Sequence, residues 1–498
     1  MLSLHDTQIK ALLKNKNLPT FLTIVVIFII FLFVSTYNLG SFPALVGDEG
    51  YEGLSVIDHL KNDKPFVFGR ESYVSYWSDY TRLPFVQWLG PTALAMRIPL
   101  VVASIVTFWL AWIVLKRLFS DYLALFTMVF LFFSPQYTLS QRISWPIFFL
   151  PLLFFLLLFF LTGNSRYKSL FSGLVAGLGV ATHMVFIAPL SGIVFIYIVS
   201  QRRKFKEFLS WWPALVGFFA GFGMQLNILS TFRVESSRVG SFFNIGARVK
   251  DLFLTLLYYF SGSANIGEYI GEFSENWTRI ILVFIFTLAI LALILKPARR
   301  KTWLWLGGIL ITIIITTFIA NYFRSRYLHI ATICFWGLAG LGLGKLLLII
   351  TKNKIIIAIL PIVIAIVFST WTFIFVYRPY TATAGTAKFF PDSGASWDTA
   401  GHFSGIEPLI NCVIKTKATV YAPEPKILNR LLFFHYNNKK IGAVQTIKKA
   451  PWVIGYRSGP DVTDKTLRRK DELCPELDNY IVTPNSSYTA PTPTTQTP

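Results

Sequence analysis

The segment Phe21–Gly53, "FLTIVVIFIIFLFVSTYNLGSFPALVGDEGYEG", places a long apolar run shortly before a group of acidic residues. With its flanks, the apolar part is long enough to cross a bilayer, which takes roughly 17–25 residues. Asp48, Glu49 and Glu52 follow close behind it. Unpaired negative charge is unfavourable beside a membrane. The segment therefore predicts a membrane-spanning helix followed by carboxylates with a structural or functional role.

The composition indicates a polytopic α-helical membrane protein. The chain has 498 residues and is 54% hydrophobic but only 14% charged, whereas soluble proteins carry about 25% charged residues. Apolar stretches predict about 11 transmembrane helices. They lie at roughly 20–37, 93–115, 120–135, 146–162, 169–182, 184–200, 211–229, 279–296, 302–320, 328–350 and 355–377. The pair at 169–182 and 184–200 is either one kinked helix or a short hairpin turning at "ATHM".

Basic residues set the predicted orientation in the plasma membrane. Alternate short loops carry Lys and Arg, which favours a cytoplasmic position for these loops and for the N-terminus. They contain Lys116, Arg117, Arg166, Lys168, 202–206, 296–301, Lys345, Lys352 and Lys354. The net charge of +21 arises largely from such segments, so nucleic acid is not a predicted partner. Since no A-x-A-like cleavage site follows it, the first apolar run is interpreted as a retained signal anchor.

Three regions are predicted. Residues 1–377 form the transmembrane domain, with long outer loops at about 38–92 and 230–278. Residues 378–484 form a small extracytoplasmic α/β domain, in which "ATVYA", "PWVIGY" and "NYIVT" have strand patterns and "PKILNRLLFFHY" a helix pattern. Cys412 and Cys474 lie there as either a disulfide or two free thiols. Residues 485–498 form a disordered Thr/Pro-rich tail.

Two interpretations apply to Asp48 and Glu49. They can start a helix, with Asp48 as its N-cap and acidic residues in the first turn. Alternatively, Asp48 is a general base, because partial desolvation near a bilayer raises the proton affinity of a carboxylate. Gly47 and Gly50 would let a substrate approach the backbone closely. In that case Glu49 orients the site or the acceptor.

Arg142, Arg324 and Arg326 lie in predicted outer loops, where the positive-inside rule disfavours arginine. Each either extends toward lipid head groups or binds the phosphate of a lipid-linked donor. Phosphate binding would also neutralise a departing phosphate.

Other outer residues supply the remaining candidates. His183, Tyr51 and Arg70 are predicted to bind substrate, with structural packing as the alternative for His183. The chain has no His-x-x-x-His or Cys-x-x-Cys spacing, so no metal site is predicted. The predicted chemistry requires no cofactor, and assistance by a divalent metal is left open.

The chain resembles the polyprenyl-phosphate-sugar glycosyltransferases of the C-type (GT-C) superfamily over roughly residues 20–350. The similar stretches are "LGPTALAMRIPLVVASIVTFWLAWIVLKRLFSDYLALFTMVFLFFSP", "SGLVAGLGVATHMVFIAPL" and "RSRYLHIATICFWGLAGLGL", together with the Asp-Glu pair after the first span. The nearest branch contains the protein O-mannosyltransferases and the lipid A aminoarabinose transferases. The resemblance implies Asp48 as the base, inverting transfer, and Arg142 and Arg326 on the donor phosphate. "GDEGYEG" departs from the family pattern because no basic residue follows the pair closely.

The predicted function is transfer of a sugar from a polyprenyl-phosphate donor to an acceptor hydroxyl at the extracytoplasmic face. The partners would be the lipid-linked donor, membrane lipids and a protein, lipid or glycan acceptor. The alternative is a transporter or flippase of lipid-linked saccharides, which would place ionisable residues at mid-membrane and often contains repeats.

Overall fold

The computed structural model describes most of the membrane region and parts of the C-terminal region. The described residues are 18–40, 47–62, 77–200, 211–223, 271–319, 325–351, 353–372, 407–422, 432, 442–443, 451–456, 473–474 and 480–484. The predicted tail at 485–498 and nearly all of "PKILNRLLFFHY" lie outside them.

Helices dominate the N-terminal part of the chain. They are α1 Leu18–Thr36, α2 Gly47–Asn62, α3 Trp77–Leu89, α4 Ala93–Leu118, α5 Asp121–Phe132, α6 Pro135–Ser140, α7 Leu150–Thr162, α8 Lys168–Thr182, α9 Ile187–Ser200, α10 Trp212–Phe222, α11 Gly271–Ile294, α12 Arg299–Ile319, α13 His329–Ile350 and α14 Lys354–Thr372. Each predicted span overlaps at least one of them. Within the described residues, α1, α4 and α13 are long and apolar enough to cross a bilayer. The total number of crossings stays a prediction.

The "ATHM" segment separates two helices. α8 ends at Thr182, and His183 has an extended backbone with φ −163° and ψ 127°. The His183 Nδ1 accepts a hydrogen bond from the Val185 N–H at 3.2 Å, which caps the following 3-10 turn Met184–Phe186. A single continuous kinked helix is therefore wrong, because the helical backbone is interrupted at His183.

Glycines bring α8 and α10 into backbone contact. Gly173 and Gly177 of α8 face α10, and Gly217 and Gly221 of α10 face α8. A Cβ built on any of these four glycines would lie 1.9–2.2 Å from a carbonyl oxygen of the opposite helix. Small residues spaced four apart permit such close packing where water supplies no hydrophobic driving force.

The position of Lys345 differs from the predicted loop position. It lies within α13, and its residue surface is fully buried. Its Nζ donates to the Ala292 and Leu295 carbonyls at 2.6 and 3.1 Å, and to the Thr302 Oγ1 at 2.9 Å. The cation satisfies carbonyls at the carboxyl end of α11, where the helix dipole favours positive charge. Counting charges alone could not distinguish this role from a loop position.

The C-terminal region contains a mixed sheet. It is formed, within the described residues, by β1 Thr419–Tyr421, β2 Gly442–Ala443, β3 Trp452–Tyr456 and β4 Tyr480–Pro484 in the order β2-β1-β3-β4. β1 is parallel to β2 and β3, and β4 is antiparallel to β3. All three predicted strand segments contain strands. The preceding helix α15 (Glu407–Thr416) carries Cys412, which forms a disulfide with Cys474. The boundaries of the predicted domains stay predictions.

Candidate active site

The acidic segment forms the start of α2. Asp48 and Glu49 occupy the first turn of this helix, where the helix dipole stabilises negative charge. A helix start is thus present, but α2 begins at Gly47, so Asp48 is its second residue and not the N-cap. For Asp48 the structure describes the backbone alone.

Glu49 is fully buried and bound on both carboxylate oxygens. Arg97 of α4 donates from Nε to Glu49 Oε1 at 3.0 Å and from Nη2 to Oε2 at 2.7 Å. Both side chains are 0% exposed. The Ser144 N–H also donates to Glu49 Oε1 at 2.6 Å. This bidentate geometry fixes Glu49 strongly, so the residue suits an orienting role better than proton transfer.

Arg97 also connects two helix ends. Its Nη1 donates to the Leu39 carbonyl at 3.0 Å, just after the end of α1. Since Arg97 lies near the start of α4, one side chain joins α1, α2 and α4. We call this end of the helix bundle, defined by Thr36, Gly47, Ala93 and His329, the α2 end.

A second arginine lies beside this ion pair. Arg82 of α3 is fully buried and donates from Nη1 to Asp79 Oδ1 at 2.8 Å and to Glu52 Oε2 at 3.2 Å. Its Nε donates to Ser144 Oγ at 2.9 Å, and its Nη2 donates to the Ser144 carbonyl at 2.8 Å. Asp79 also accepts from Ser55 Oγ at 3.0 Å. Glu52 is therefore paired with a buried arginine.

Ser144 joins the two arginine–carboxylate groups. Its N–H donates to Glu49, its Oγ and carbonyl accept from Arg82, and its hydroxyl donates to the Met96 carbonyl at 2.6 Å. Ser144 lies in a non-helical segment between α6 and α7 that is buried throughout residues 140–150. Non-helical backbone at this depth requires protein partners for its polar groups. Here those partners are Glu49 of α2 and Arg82 of α3.

Arg142 is placed against the carboxyl end of α1. Its Nη1 donates to the Val34 carbonyl at 2.6 Å, and its Nη2 donates to the Tyr37 carbonyl. The residue is fully buried. These contacts give a physical reason for an arginine at this end of the bundle, because α1 leaves unpaired carbonyls there. Phosphate binding by Arg142 stays a prediction.

His183 lies near the turn that carries Arg326. The ring of His183 is 5.7 Å from that of Tyr327, and Arg326 belongs to the 3-10 turn Ser325–Leu328. The neighbouring Thr182 Oγ1 accepts from the Trp77 Nε1 of α3. The start of α3, the end of α8 and the start of α13 therefore meet at the α2 end.

The remaining predicted site residues are only partly described. Tyr51 is half-buried on α2. Arg324 and Arg70 lie outside the described residues, and for Arg326 the backbone alone is described. Their predicted contacts with phosphate or substrate stay predictions.

Sequence reasoning assigned no role to Arg82, Arg97, Asp79 or Ser144. A signal for Arg97 was present, because a charged residue inside an apolar span is expensive and commonly functional. Asp79 and Arg82 are three residues apart, which is the spacing of paired side chains on a helix. Ser144 had no comparable signal, since its importance depends on partners distant in sequence. Among the described residues, no group of three or more His, Cys, Asp or Glu could hold a metal ion.

An apolar cavity of about 350 Å³ lies between α4, α7, α9, α12 and α13. Its lining includes Phe154, Ile193, Ile309 and Ile330, with Lys301 among the few charged or polar members. The lining runs from Ile330, beside the start of α13, to Leu118 and Lys301 at the opposite end of the bundle.

Comparisons with known proteins gave one family match and one structural match. The family described as dolichyl-phosphate-mannose-protein mannosyltransferase matches residues 84–225. The crystal structure of ArnT from Cupriavidus metallidurans bound to undecaprenyl phosphate matches with a TM-score of 0.53 at 12% sequence identity. That match covers 94% of this chain and 99% of the ArnT chain. No match was found among curated proteins.

Both findings agree with the resemblance to the polyprenyl-phosphate-dependent glycosyltransferases of the GT-C superfamily. The similarity in sequence is to the mannosyltransferase family over the matched segment, and the similarity in fold is to ArnT. The matched residues include Arg97, Ser144 and His183, whereas Asp48 and Glu49 precede them.

Proposed function

We propose that this protein transfers a sugar from a polyprenyl-phosphate donor to an acceptor hydroxyl, with inversion at the anomeric carbon. Asp48 takes the hydroxyl proton while the acceptor oxygen attacks that carbon. The bond from the anomeric carbon to the phosphate oxygen breaks, and polyprenyl phosphate leaves with the bonding electrons. One displacement from the opposite face produces the inversion.

The observation that carries this proposal is the buried Glu49–Arg97 pair in the first turn of α2. It fixes the Asp48–Glu49 dipeptide at the α2 end of the bundle. A pre-positioned base lowers the barrier, because little order has to be created during the reaction. ArnT, which shares the fold, was crystallised with undecaprenyl phosphate.

The donor phosphate is assigned to Arg324 and Arg326, with Arg142 as a third candidate, because the planar guanidinium group of arginine suits phosphate oxygens. The apolar cavity, which reaches Ile330 beside this turn with one of its ends, would accommodate isoprene units of the donor. His183, Tyr51 and Arg70 are the candidates for contacts with the sugar or the acceptor. The sugar is a hexose or a pentose in this proposal, and the acceptor is a protein, a lipid or a glycan.

The proposed orientation in the plasma membrane places the N-terminus in the cytoplasm and the α2 end outside. The Cys412–Cys474 disulfide supports this orientation, since such bonds persist in oxidising compartments. A membrane-impermeant thiol-reactive reagent applied to intact cells would check the exposure of cysteines introduced into α2.

The decisive experiment is transfer of labelled sugar by purified protein in lipid nanodiscs. The donors are a panel of polyprenyl-phosphate sugars, and the acceptors are membrane glycans, lipids and Ser/Thr peptides. Asp48→Asn should lower kcat by about 10²–10⁴-fold, the usual contribution of a general base. Asp58→Asn, on the exposed surface of the same helix, is the matched control and should retain wild-type kcat.

Full activity of Asp48→Asn would overturn the assignment of the base. Absence of transfer by wild-type protein, with labelled lipid-sugar crossing vesicle bilayers, would instead favour a flippase.

A further inference from the structure

Arg82 joins α3, α2 and the buried segment before α7 beside the start of α2. It contacts Asp79 on its own helix, Glu52 on α2, and Ser144 in the buried segment before α7. The guanidinium uses Nε, Nη1 and Nη2 in these contacts, and its side chain is 0% exposed. A group so enclosed is poorly placed to reach a substrate.

Two of these contacts lead to the first turn of α2. Through Glu52, Arg82 holds α2 directly at 3.2 Å. Through Ser144, whose N–H binds Glu49 at 2.6 Å, it also holds the residue next to Asp48. Positions three and four apart lie on one face of a helix, so these attachments oppose rotation of the turn.

A third attachment lies one turn further along α2. Asp79, which binds Arg82 at 2.8 Å, also accepts from Ser55 Oγ at 3.0 Å. Attachments at Glu49, Glu52 and Ser55 restrict both the rotation of α2 and its tilt relative to α3. Arg82 is the common centre of all three.

We propose that Arg82 is a positioning residue for the transferase reaction, which sets the orientation of the first turn of α2 and therefore of Asp48. This inference rests on the proposed function and adds to it a residue that acts through Glu52 and Ser144. The role depends on the planar fork of arginine, since one Lys ammonium cannot reproduce the parallel contacts with Ser144.

Arg82→Lys separates geometry from charge, because it keeps the cation and loses the fork. We expect kcat to fall by about 10²-fold, the scale associated with displacement of a catalytic group by 1 Å. The KM for the polyprenyl-phosphate donor should change less than twofold, because the Arg82 side chain is 0% exposed and bound to protein groups. Circular dichroism and thermal unfolding would verify that the variant folds.

Lys345→Met is the matched control, since it also removes a fully buried cation with several partners. It should lower thermal stability while kcat per folded molecule remains unchanged. A wild-type kcat in Arg82→Lys, or a raised donor KM with unchanged kcat, would overturn the inference.

A spectroscopic measurement tests the same inference without any assay of transfer. Spin labels can be attached at Thr36→Cys and Asp58→Cys, because Thr36 is exposed at the end of α1 and Asp58 is exposed on α2. The distribution of distances between the two labels reports the position of α2. The native cysteines should not react, because Cys334 is buried and the other two form a disulfide. Arg82→Met should broaden the distribution or shift its maximum, whereas Lys345→Met should leave it unchanged.

An unchanged distribution in Arg82→Met would overturn the positioning role even if wild-type protein showed no transfer. A broadened distribution together with inactive wild-type protein would contradict the proposed function and leave the role of Arg82 in holding α2 supported.

Discussion

The two ends of the helix bundle use buried cations with different partners. At the α2 end, Arg97 and Arg82 bind carboxylates. At the opposite end, Lys345 binds two backbone carbonyls and a hydroxyl. Loss of Lys345 would leave neutral groups unpaired, whereas loss of Arg97 would leave a buried charge. The partner of a buried cation, more than its burial, therefore determines the cost of removing it.

Arg97→Met should have the largest effect on stability. It leaves Glu49 without its ion pair, which typically costs about 3–5 kcal/mol for a buried pair. The free energy of unfolding in detergent measures this cost. The double variant Arg97→Met/Glu49→Gln removes both charges and should be less destabilised than the sum of the single variants. Additive losses would show that the two side chains do not depend on one another.

Lys345→Met should cost less, about 2 kcal/mol, because hydrogen bonds from a charged donor contribute about 1.5–3 kcal/mol. Its hydroxyl and carbonyl partners carry no net charge. The same unfolding measurement applies. A loss as large as that of Arg97→Met would contradict the contrast between carboxylate and carbonyl partners.

Arg142→Met sharpens the comparison, since Arg142 lies at the α2 end but binds carbonyls like Lys345. We expect destabilisation of about 1.5–2 kcal/mol, from the loss of charge-assisted hydrogen bonds. The donor KM, measured on folded protein, should change less than twofold if Arg142 serves the end of α1 alone. A tenfold or larger increase in KM would instead establish the phosphate contact predicted from the sequence.

Lys116→Ala should have the smallest effect. Its ion pair with Asp121 is 3.3 Å long, and the two side chains are 40% and 32% exposed. Exposed pairs contribute about 0–1 kcal/mol, so unfolding should shift by less than 1 kcal/mol. High salt should remove most of any difference between this variant and wild type. A larger loss would show that solvent exposure does not weaken the ion pair between Lys116 and Asp121.

Much of the fold could be predicted from local pattern. Apolar stretches predicted helices correctly, because a bilayer or a helical core selects long uncharged segments regardless of how they pack. The break at "ATHM" stayed ambiguous, since it depends on His183 capping the following turn. The loop position predicted for Lys345 was wrong, because a lysine in a loop and one that caps a neighbouring helix look alike in one dimension.

Less of the candidate site than of the fold could be predicted from the sequence. The Asp48–Glu49 pair is prominent in the sequence because acids are rare near a membrane exit. The division of labour within the pair depends on Arg97, 48 residues further along the chain from Glu49. Ser144 could not be recognised at all, since nothing local marks a serine that joins two ion pairs.

The sequence by itself determined that this is a helical membrane protein with its acidic chemistry beside the first span, because hydropathy and charge act locally. The tertiary structure alone decided which charges meet. It bound Glu49 to Arg97, brought Arg82 to Glu52 and Ser144, and placed Arg142 on the end of α1. Such pairings depend on distances of a few ångströms between residues far apart in the chain, because both partners must be desolvated together for the charges to be stable.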